Sequence, residues 1–220
     1  MLGPDRLLVV PVAHGLRDHV RMADDRTQVQ DFFAARAADW DSRFPDDGPA
    51  YTAAVEALGL RRGDAVLDAG CGTGRALDAL RQAVGPEGTV LGADLTPAML
   101  ETAVRAGRDR SGFLLLTDVT RLPLRNGVLD AVFAAGLISH LAQPGSDVRE
   151  LARVVRPGGL LALFHPVGRA ALAARHGRAI TDTDLRAEPV LRPLLAAAGW
   201  RVDTYVDVDD RFLVVAARVG

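Results

Sequence analysis

Three glycines at alternate positions, Gly70, Gly72 and Gly74, with an acid just ahead of them at Asp68, carry the densest chemistry in this 220-residue sequence. Glycine lacks a Cβ, so alternate glycines let a backbone turn sharply or approach a ligand closely. The apolar pair Val66-Leu67 before them reads as a strand, and Arg75-Ala76-Leu77 after them as the start of a helix. A loop that leaves a parallel strand at its carboxyl end and enters a helix presents free N–H groups to whatever lies in the crevice. A dinucleotide fingerprint needs G-x-G-x-x-G, with pyrophosphate on the helix N-terminus. Here Arg75 stands where its third glycine belongs, and Asp68 would set a carboxylate against the pyrophosphate. A cationic ligand suits an acidic mouth better, and S-adenosylmethionine, with its sulfonium and ammonium groups, is one. Further acids stand at Asp94 and Asp118, and imidazoles at His140, His165 and His176. Cys71, the single cysteine, excludes an internal disulfide and a cysteine metal cluster, and reads as a small side chain packed under the turn.

The run Asp68-Ala69-Gly70-Cys71-Gly72-Thr73-Gly74 resembles motif I, D-x-G-C-G-T-G, of the class I S-adenosylmethionine-dependent methyltransferases. The pattern is most similar to small-molecule enzymes of the ubiquinone/menaquinone-biosynthesis type, and the resemblance runs from about Phe32 to the C-terminus. It implies that S-adenosylmethionine is the cofactor and that Asp68, Gly70, Cys71, Gly72 and Gly74 hold it. Asp94 closes an apolar stretch 26 residues beyond Asp68, near the spacing of a ribose-binding carboxylate. The resemblance implies that Asp94 accepts from both ribose hydroxyls, with Leu95 and Met99 flanking the adenine. Leu122-Pro123-Leu124 resembles the family's D-x-x-x-L-P segment, which implies that Asp118 accepts from the adenine amino group and Val119 offers a backbone N–H. Leu129-Asp130-Ala131-Val132 matches F-D-x-V with leucine for phenylalanine, and implies that Ala135-Gly136 line the methionine end. Phe32 to Trp40-Asp41 is similar to an F-x-x-x-A-x-x-W-D lid helix, which would bring Trp40 and Arg43 to the ligand, Arg43 through the methionine carboxylate.

Two histidines are candidates for a catalytic base. His165 leaves the fifth strand at its carboxyl end, where active sites of such sheets gather, and a neutral imidazole takes a proton near pH 7. His140 is the rival, in a Leu137-Ile138-Ser139-His140-Leu141 run where relatives often read L-H-H-L, and has a structural role at a helix start as its competing reading. His176 falls in the Gly168–Arg178 insertion, of a kind that carries substrate contacts. An acceptor that is already nucleophilic needs no base at all. No metal site is expected.

The elements needed to position these residues follow from periodicity and punctuation. Helices are expected over Phe32–Phe44, Tyr51–Leu60, Arg75–Val84, from Pro97, over Ser146–Val155, and from Thr181 or Thr183 to Ala198 with a break at Pro189. Strands are expected at Ala65–Asp68, Thr89–Ala93, Phe113–Leu116, Val128–Ala135 and Leu160–Phe164. A terminal hairpin joins Arg201–Val208 to Phe212–Val219, so the last strand runs antiparallel. The expected fold class is α/β, a Rossmann-like seven-stranded sheet; by resemblance its order is 3-2-1-4-5-7-6, with strand 7 antiparallel and helices on both faces. Residues 1–28 read as an N-terminal extension, loosely packed, whose first 21 residues fit nothing that follows. Residues 29–220 read as a single methyltransferase domain, with lid and N-terminal helices at 29–60 and the core at 64–220.

Composition bounds the function. A net charge of −2 and a pI near 6.2 give no reason to expect nucleic acid, and no apolar run is long enough to span a bilayer. All 26 basic residues are arginine, a bias that fits a GC-rich bacterial genome. The expectation is a cytoplasmic enzyme, monomer or homodimer, moving a methyl group to O, C or N of a small-molecule acceptor. Two other readings stay open at this point: a non-catalytic S-adenosylmethionine-binding relative, and a dinucleotide-dependent oxidoreductase.

Overall fold

A computed structural model of the chain describes residues 7–9, 19–43 and 47–220, with side chains from Arg26 onward. Its eight strands are β1 (Leu7–Val9), β2 (Ala65–Ala69), β3 (Thr89–Asp94), β4 (Phe113–Leu116), β5 (Leu129–Ala135), β6 (Val155–His165), β7 (Trp200–Val208) and β8 (Arg211–Arg218). They form one sheet in the order β1-β4-β3-β2-β5-β6-β8-β7. Strands β1 to β6 pair in parallel, and β8 runs antiparallel to both β6 and β7. From β2 onward this is the expected seven-stranded order with its reversed last strand. The eighth strand, Leu7–Val9, lies on the edge beside β4 and comes from the segment expected to stand apart. Of the first 21 residues, 1–6 and 10–18 lie outside the described residues, as does Phe44 of the expected lid helix.

Parallel strands covered on both faces are apolar throughout, and β2, β5 and the second half of β6 are nearly all buried. One face packs Leu67, Val132, Leu161 and Val214 under α6 (Pro144–Val154) and α8 (Glu188–Ala197). The other packs Val66, Phe133, Phe164 and Leu213 under α3 (Gly48–Leu58), α4 (Leu77–Val84) and α5 (Pro97–Arg105). Trp200 is fully buried at the start of β7 and spends its one donor on the Val148 carbonyl of α6, at 3.2 Å. That bond fixes the hairpin against the helix layer.

Three elements differ from expectation. The helix read over Phe32–Phe44 is broken: α1 (His19–Ala34) ends, a single 3-10 turn covers Ala37–Asp39, and α2 (Trp40–Arg43) follows. No glycine or proline marks this break; tertiary contacts of Asp41 outweigh the helical preference of the alanine-rich sequence. The last helix starts at Glu188, not at Thr181 or Thr183, because Pro189 sits in its first turn, where a missing N–H costs nothing. The Gly168–Arg178 insertion forms α7 (Arg169–Arg175). Gly168 is the point where that insertion touches the sheet: a Cβ there would lie 1.8 Å from the Val208 carbonyl oxygen.

Candidate functional site

The glycine loop leaves the carboxyl end of β2 as expected, and all three glycines have positive φ, +68° at Gly70, +54° at Gly72 and +80° at Gly74. A side chain would be strained in that conformation. The N–H groups of Gly70 and Cys71 both donate to the Ala93 carbonyl, at 2.8 and 3.0 Å, and stitch the loop to β3. Gly72 N–H donates to Asp94 Oδ2 at 2.8 Å, and Thr96 N–H donates to Asp94 Oδ1 at the same distance. Asp94 is therefore a brace between the glycine loop and the start of α5, and the Thr96 hydroxyl and the Leu95 amide also act on it. Cys71 is buried with its sulfur against Gly92 of β3, and Met99 is buried beside Gly72. Leu95 is half-buried, and its carbonyl accepts from Gln30 of α1 at 2.7 Å.

Asp68 is the electrostatic centre. It is 2% exposed, and its Oδ1 has no hydrogen-bond partner. Burial, with the Asp94 carboxylate adding repulsion, pushes its pKa up from 3.8 to about 8. Burial also raises Asp94, against the pull of the Thr96 and Gly72 amides. A buried carboxyl with an unused oxygen and a second one beside it make an acceptor set for a ligand carrying both a cation and hydroxyl groups. The residues present fit S-adenosylmethionine on that ground.

Asp118 lies beyond β4. Its Oδ1 accepts from Thr120 N–H at 2.9 Å, while Arg26 of α1 stands 2.9 Å from Oδ2 without the alignment of a hydrogen bond. Val119 is buried next to it. At the far side, Gly136 follows β5 with φ +70°; its N–H donates to the Phe164 carbonyl at 2.8 Å, and a Cβ there would meet nothing within 4 Å. The space beside Ala135-Gly136 is thus open.

The broken segment expected to form a lid is tied to the glycine loop by one acid. Asp41 Oδ1 accepts from the Thr73 hydroxyl at 2.6 Å, and Asp41 Oδ2 pairs with Arg108 at 2.6 Å. Arg108 also donates to the Thr73 carbonyl at 2.7 Å, so three residues tie the segment to the glycine loop. Trp40 packs edge-on against Phe33 (5.5 Å), and Phe33 against His140 (5.0 Å). Arg43 is exposed at the end of α2. Asp41→Ala is expected to speed hydrogen exchange of residues 37–43 by about tenfold, as two charge-assisted bonds at a half-exposed site are lost. Unchanged exchange in that variant would show that the segment is held by packing alone.

His165 ends β6 with Nδ1 2.8 Å from the Val167 carbonyl oxygen and 3.1 Å from the Val167 amide. With Nδ1–H donating to the nearer carbonyl, Nε2 is the nitrogen left with a lone pair. Burial lowers its pKa below the usual imidazole value, as it does for His140, whose other side is exposed. His176 caps the end of α7 and is exposed. Among the described residues no group of three or more His, Cys, Asp or Glu side chains converges to hold a metal.

The structure thus gathers Asp68, Gly70, Gly72, Asp94 and Met99 around one loop, and puts Asp118, Ala135, Gly136 and His165 on neighbouring strand ends. It adds residues that sequence reasoning passed over. Asp41, Thr73 and Arg108 form the tie just described, and nothing in their local pattern announces a contact over 32 and 35 residues. Tyr51 of α3 packs on Phe164 (5.1 Å), with the Arg75 guanidinium 5.2 Å from its ring. Burial pushes its hydroxyl well above the usual range, with Asp68 among the charges it feels.

Residues 67–163 match a family model described as a methyltransferase domain. The chain is 31% identical over 149 residues to a malonyl-[acyl-carrier protein] O-methyltransferase of Hahella chejuensis, covering 66% of this chain and 52% of that protein. It is 36% identical over 106 residues to a ubiquinone/menaquinone biosynthesis C-methyltransferase of Burkholderia mallei, covering 46% and 42%. Among solved structures it is similar to an S-adenosylmethionine-dependent methyltransferase from Aquifex aeolicus, with a TM-score of 0.64, 26% identity, and 77% and 89% of the two chains covered. The chain spans about a third to a half of the length of the curated relatives it matches, 33%, 52% and 43% for three of them. No helix among the described residues is long and apolar enough to cross a membrane.

Proposed function

We propose that the chain is an S-adenosylmethionine-dependent methyltransferase, built on the methyltransferase domain matched at residues 67–163, and that it transfers a methyl group to a small organic acceptor. The observation that carries this reading is the partnerless Oδ1 of buried Asp68 at the mouth of the glycine loop. A pyrophosphate would meet repulsion there, whereas an ammonium group would ionise the carboxyl and pair with it. Relatives named for O-methylation of a malonyl carrier and for C-methylation in quinone biosynthesis support a small organic acceptor and leave the methylated atom open.

When bound, the cofactor supplies an electrophilic methyl on a sulfonium centre. Asp68 holds the cationic end, Asp94 accepts from hydroxyl donors, and Asp118 accepts from an amino group. Trp40 and Arg43 close over them, and the Asp41 tie keeps that segment on the loop. In-line displacement asks chiefly for alignment, which supplies roughly 7–11 kcal/mol in favourable intramolecular models. His165 Nε2 takes the acceptor's proton where the acceptor carries one; His140 is the alternative base.

Calorimetry is expected to show binding of S-adenosylhomocysteine and none of NAD; the reverse pattern would overturn the assignment. With an acceptor found by turnover screening, His165→Ala should lower kcat by roughly 10²-fold or more while S-adenosylhomocysteine affinity holds. Because the imidazole pKa is lowered, wild-type kcat/KM should already be level at neutral pH and fall only below it. Near-normal turnover in the variant would leave alignment as the whole of catalysis.

A further inference from the structure

The segment between β6 and α8 buries two arginines that nothing in the cofactor site uses, Arg169 and Arg186. Arg169 is held by structure, with only its Nε, sealed 3.7 Å from Asp184 Oδ2, left without a hydrogen bond among the described residues. Its Nη2 donates to the Thr181 carbonyl at 2.9 Å, its Nη1 pairs with Asp207 at 3.3 Å, and its own N–H donates to Asp207 Oδ1 at 2.8 Å. These bonds pin α7 to β7. Arg186 is different. Its side chain is 10% exposed, yet its guanidinium makes no hydrogen bond among the described residues. The nearest carboxylate oxygen, Asp184 Oδ1, is 3.8 Å from Nε and already takes the Arg186 backbone N–H at 2.8 Å.

A guanidinium has five donors in a planar fork, and a buried one without acceptors calls for an explanation. The position is built. Asp184 holds the Arg186 N–H, the Tyr205 hydroxyl donates to the Arg186 carbonyl at 2.8 Å, and the guanidinium carbon stands 5.6 Å over the Phe212 ring. Phe212 is the residue paired with His165 across β6 and β8, and paired residues share a sheet face. None of the Arg186 side-chain nitrogens is among the sealed atoms without a partner, so the fork reaches open space. His165 feels that charge, which helps to hold its imidazole neutral.

We infer that Arg186 is the anchor for an anionic group of the acceptor, a carboxylate or a phosphate, held beside His165 at the carboxyl end of β6. The inference rests on the methyl-transfer reading for the name "acceptor", and on the arginine alone for the anion. A planar carboxylate would take two parallel N–H bonds from the fork, and a phosphate the same pair. With its charge so placed, the far end of the acceptor is fixed.

The test is a titration of the protein loaded with S-adenosylhomocysteine, followed by 15N NMR of the Arg186 Nε–H. Sodium benzoate and sodium phosphate are added in separate arms, with sodium chloride at equal ionic strength as reference. A saturable shift of that resonance with benzoate alone identifies a carboxylate subsite, and one with phosphate identifies a phosphate subsite. A shift no larger than with chloride overturns the inference. Arg186→Gln should abolish the saturable binding while S-adenosylhomocysteine affinity stays within about twofold; because the titration is read on the wild-type protein, it stands even where that variant folds poorly. If S-adenosylhomocysteine does not bind, the methyl-transfer reading fails by itself, and the same titration on the free protein still decides for or against the anion site.

Discussion

Asp94→Ala should cost the protein both stability and cofactor affinity, the first more than a surface acid ever would. Two backbone donors, Gly72 N–H and Thr96 N–H, lose their acceptor in that variant. Each orphaned donor at such a site costs about 1–3 kcal/mol. For a chain of this length each kcal/mol lowers the melting temperature by about 2–4 °C, so a drop on the order of 5–15 °C is expected. Affinity for S-adenosylhomocysteine should fall by at least about tenfold, since bonds to a charged acceptor are worth about 1.5–3 kcal/mol. The two readouts separate the roles. A lower melting temperature with unchanged affinity would leave Asp94 as a brace only. No change in either would remove it from the site.

That double duty illustrates how far the residues themselves disclose the molecule. The acid at the end of β3 was legible from its spacing beyond Asp68, because strand, glycine turn, helix and second strand have nearly fixed lengths. Its bond to Gly72 was not legible, since a loop's N–H directions depend on φ at each glycine. The parallel strands and the reversed hairpin could be read because runs such as Leu129–Ala135 have no polar alternation to compete with burial on both faces. The break after Ala34 could not be read: Ala35-Arg36 has good helical propensity, and only the pull of Thr73 and Arg108 on Asp41 explains the turn. Pro189 was legible as punctuation, but not whether it opened a helix or interrupted one. Arg186 looked like any arginine of an expected helix, and its burial is a consequence of Tyr205 and Phe212 some 20 residues later.

Asp68→Asn is expected to change stability and binding in opposite directions, and the pH dependence identifies the cause. In the folded protein the Asp68 carboxyl titrates at about 8, against 3.8 for an ordinary aspartate. Between those values the native state holds a proton that the unfolded chain has released, so stability falls as pH rises through that window. The contribution is about 1.4 kcal/mol per pH unit from this one group. Asparagine carries no such proton, so the ligand-free variant should lose that slope, and its advantage over wild type should grow steadily from about pH 5 to about pH 8. An amide that leaves its own NH2 unpaired would lower the whole curve without restoring the slope, which is why the slope is the quantity to compare. Asp94, raised by the same burial, titrates in both proteins and largely cancels in the difference. Binding should go the other way. A cationic ligand must ionise Asp68, so at pH 7 wild type should release close to one proton per S-adenosylhomocysteine bound, read by calorimetry in buffers of different ionisation enthalpy. The variant should release almost none from this site, and its affinity should drop by about tenfold to a hundredfold. Parallel stability slopes in the two proteins would mean that Asp68 is already ionised in the free state. The glycine loop would then hold a resident negative charge, and the choice of a cation over a pyrophosphate would be made before any ligand arrives.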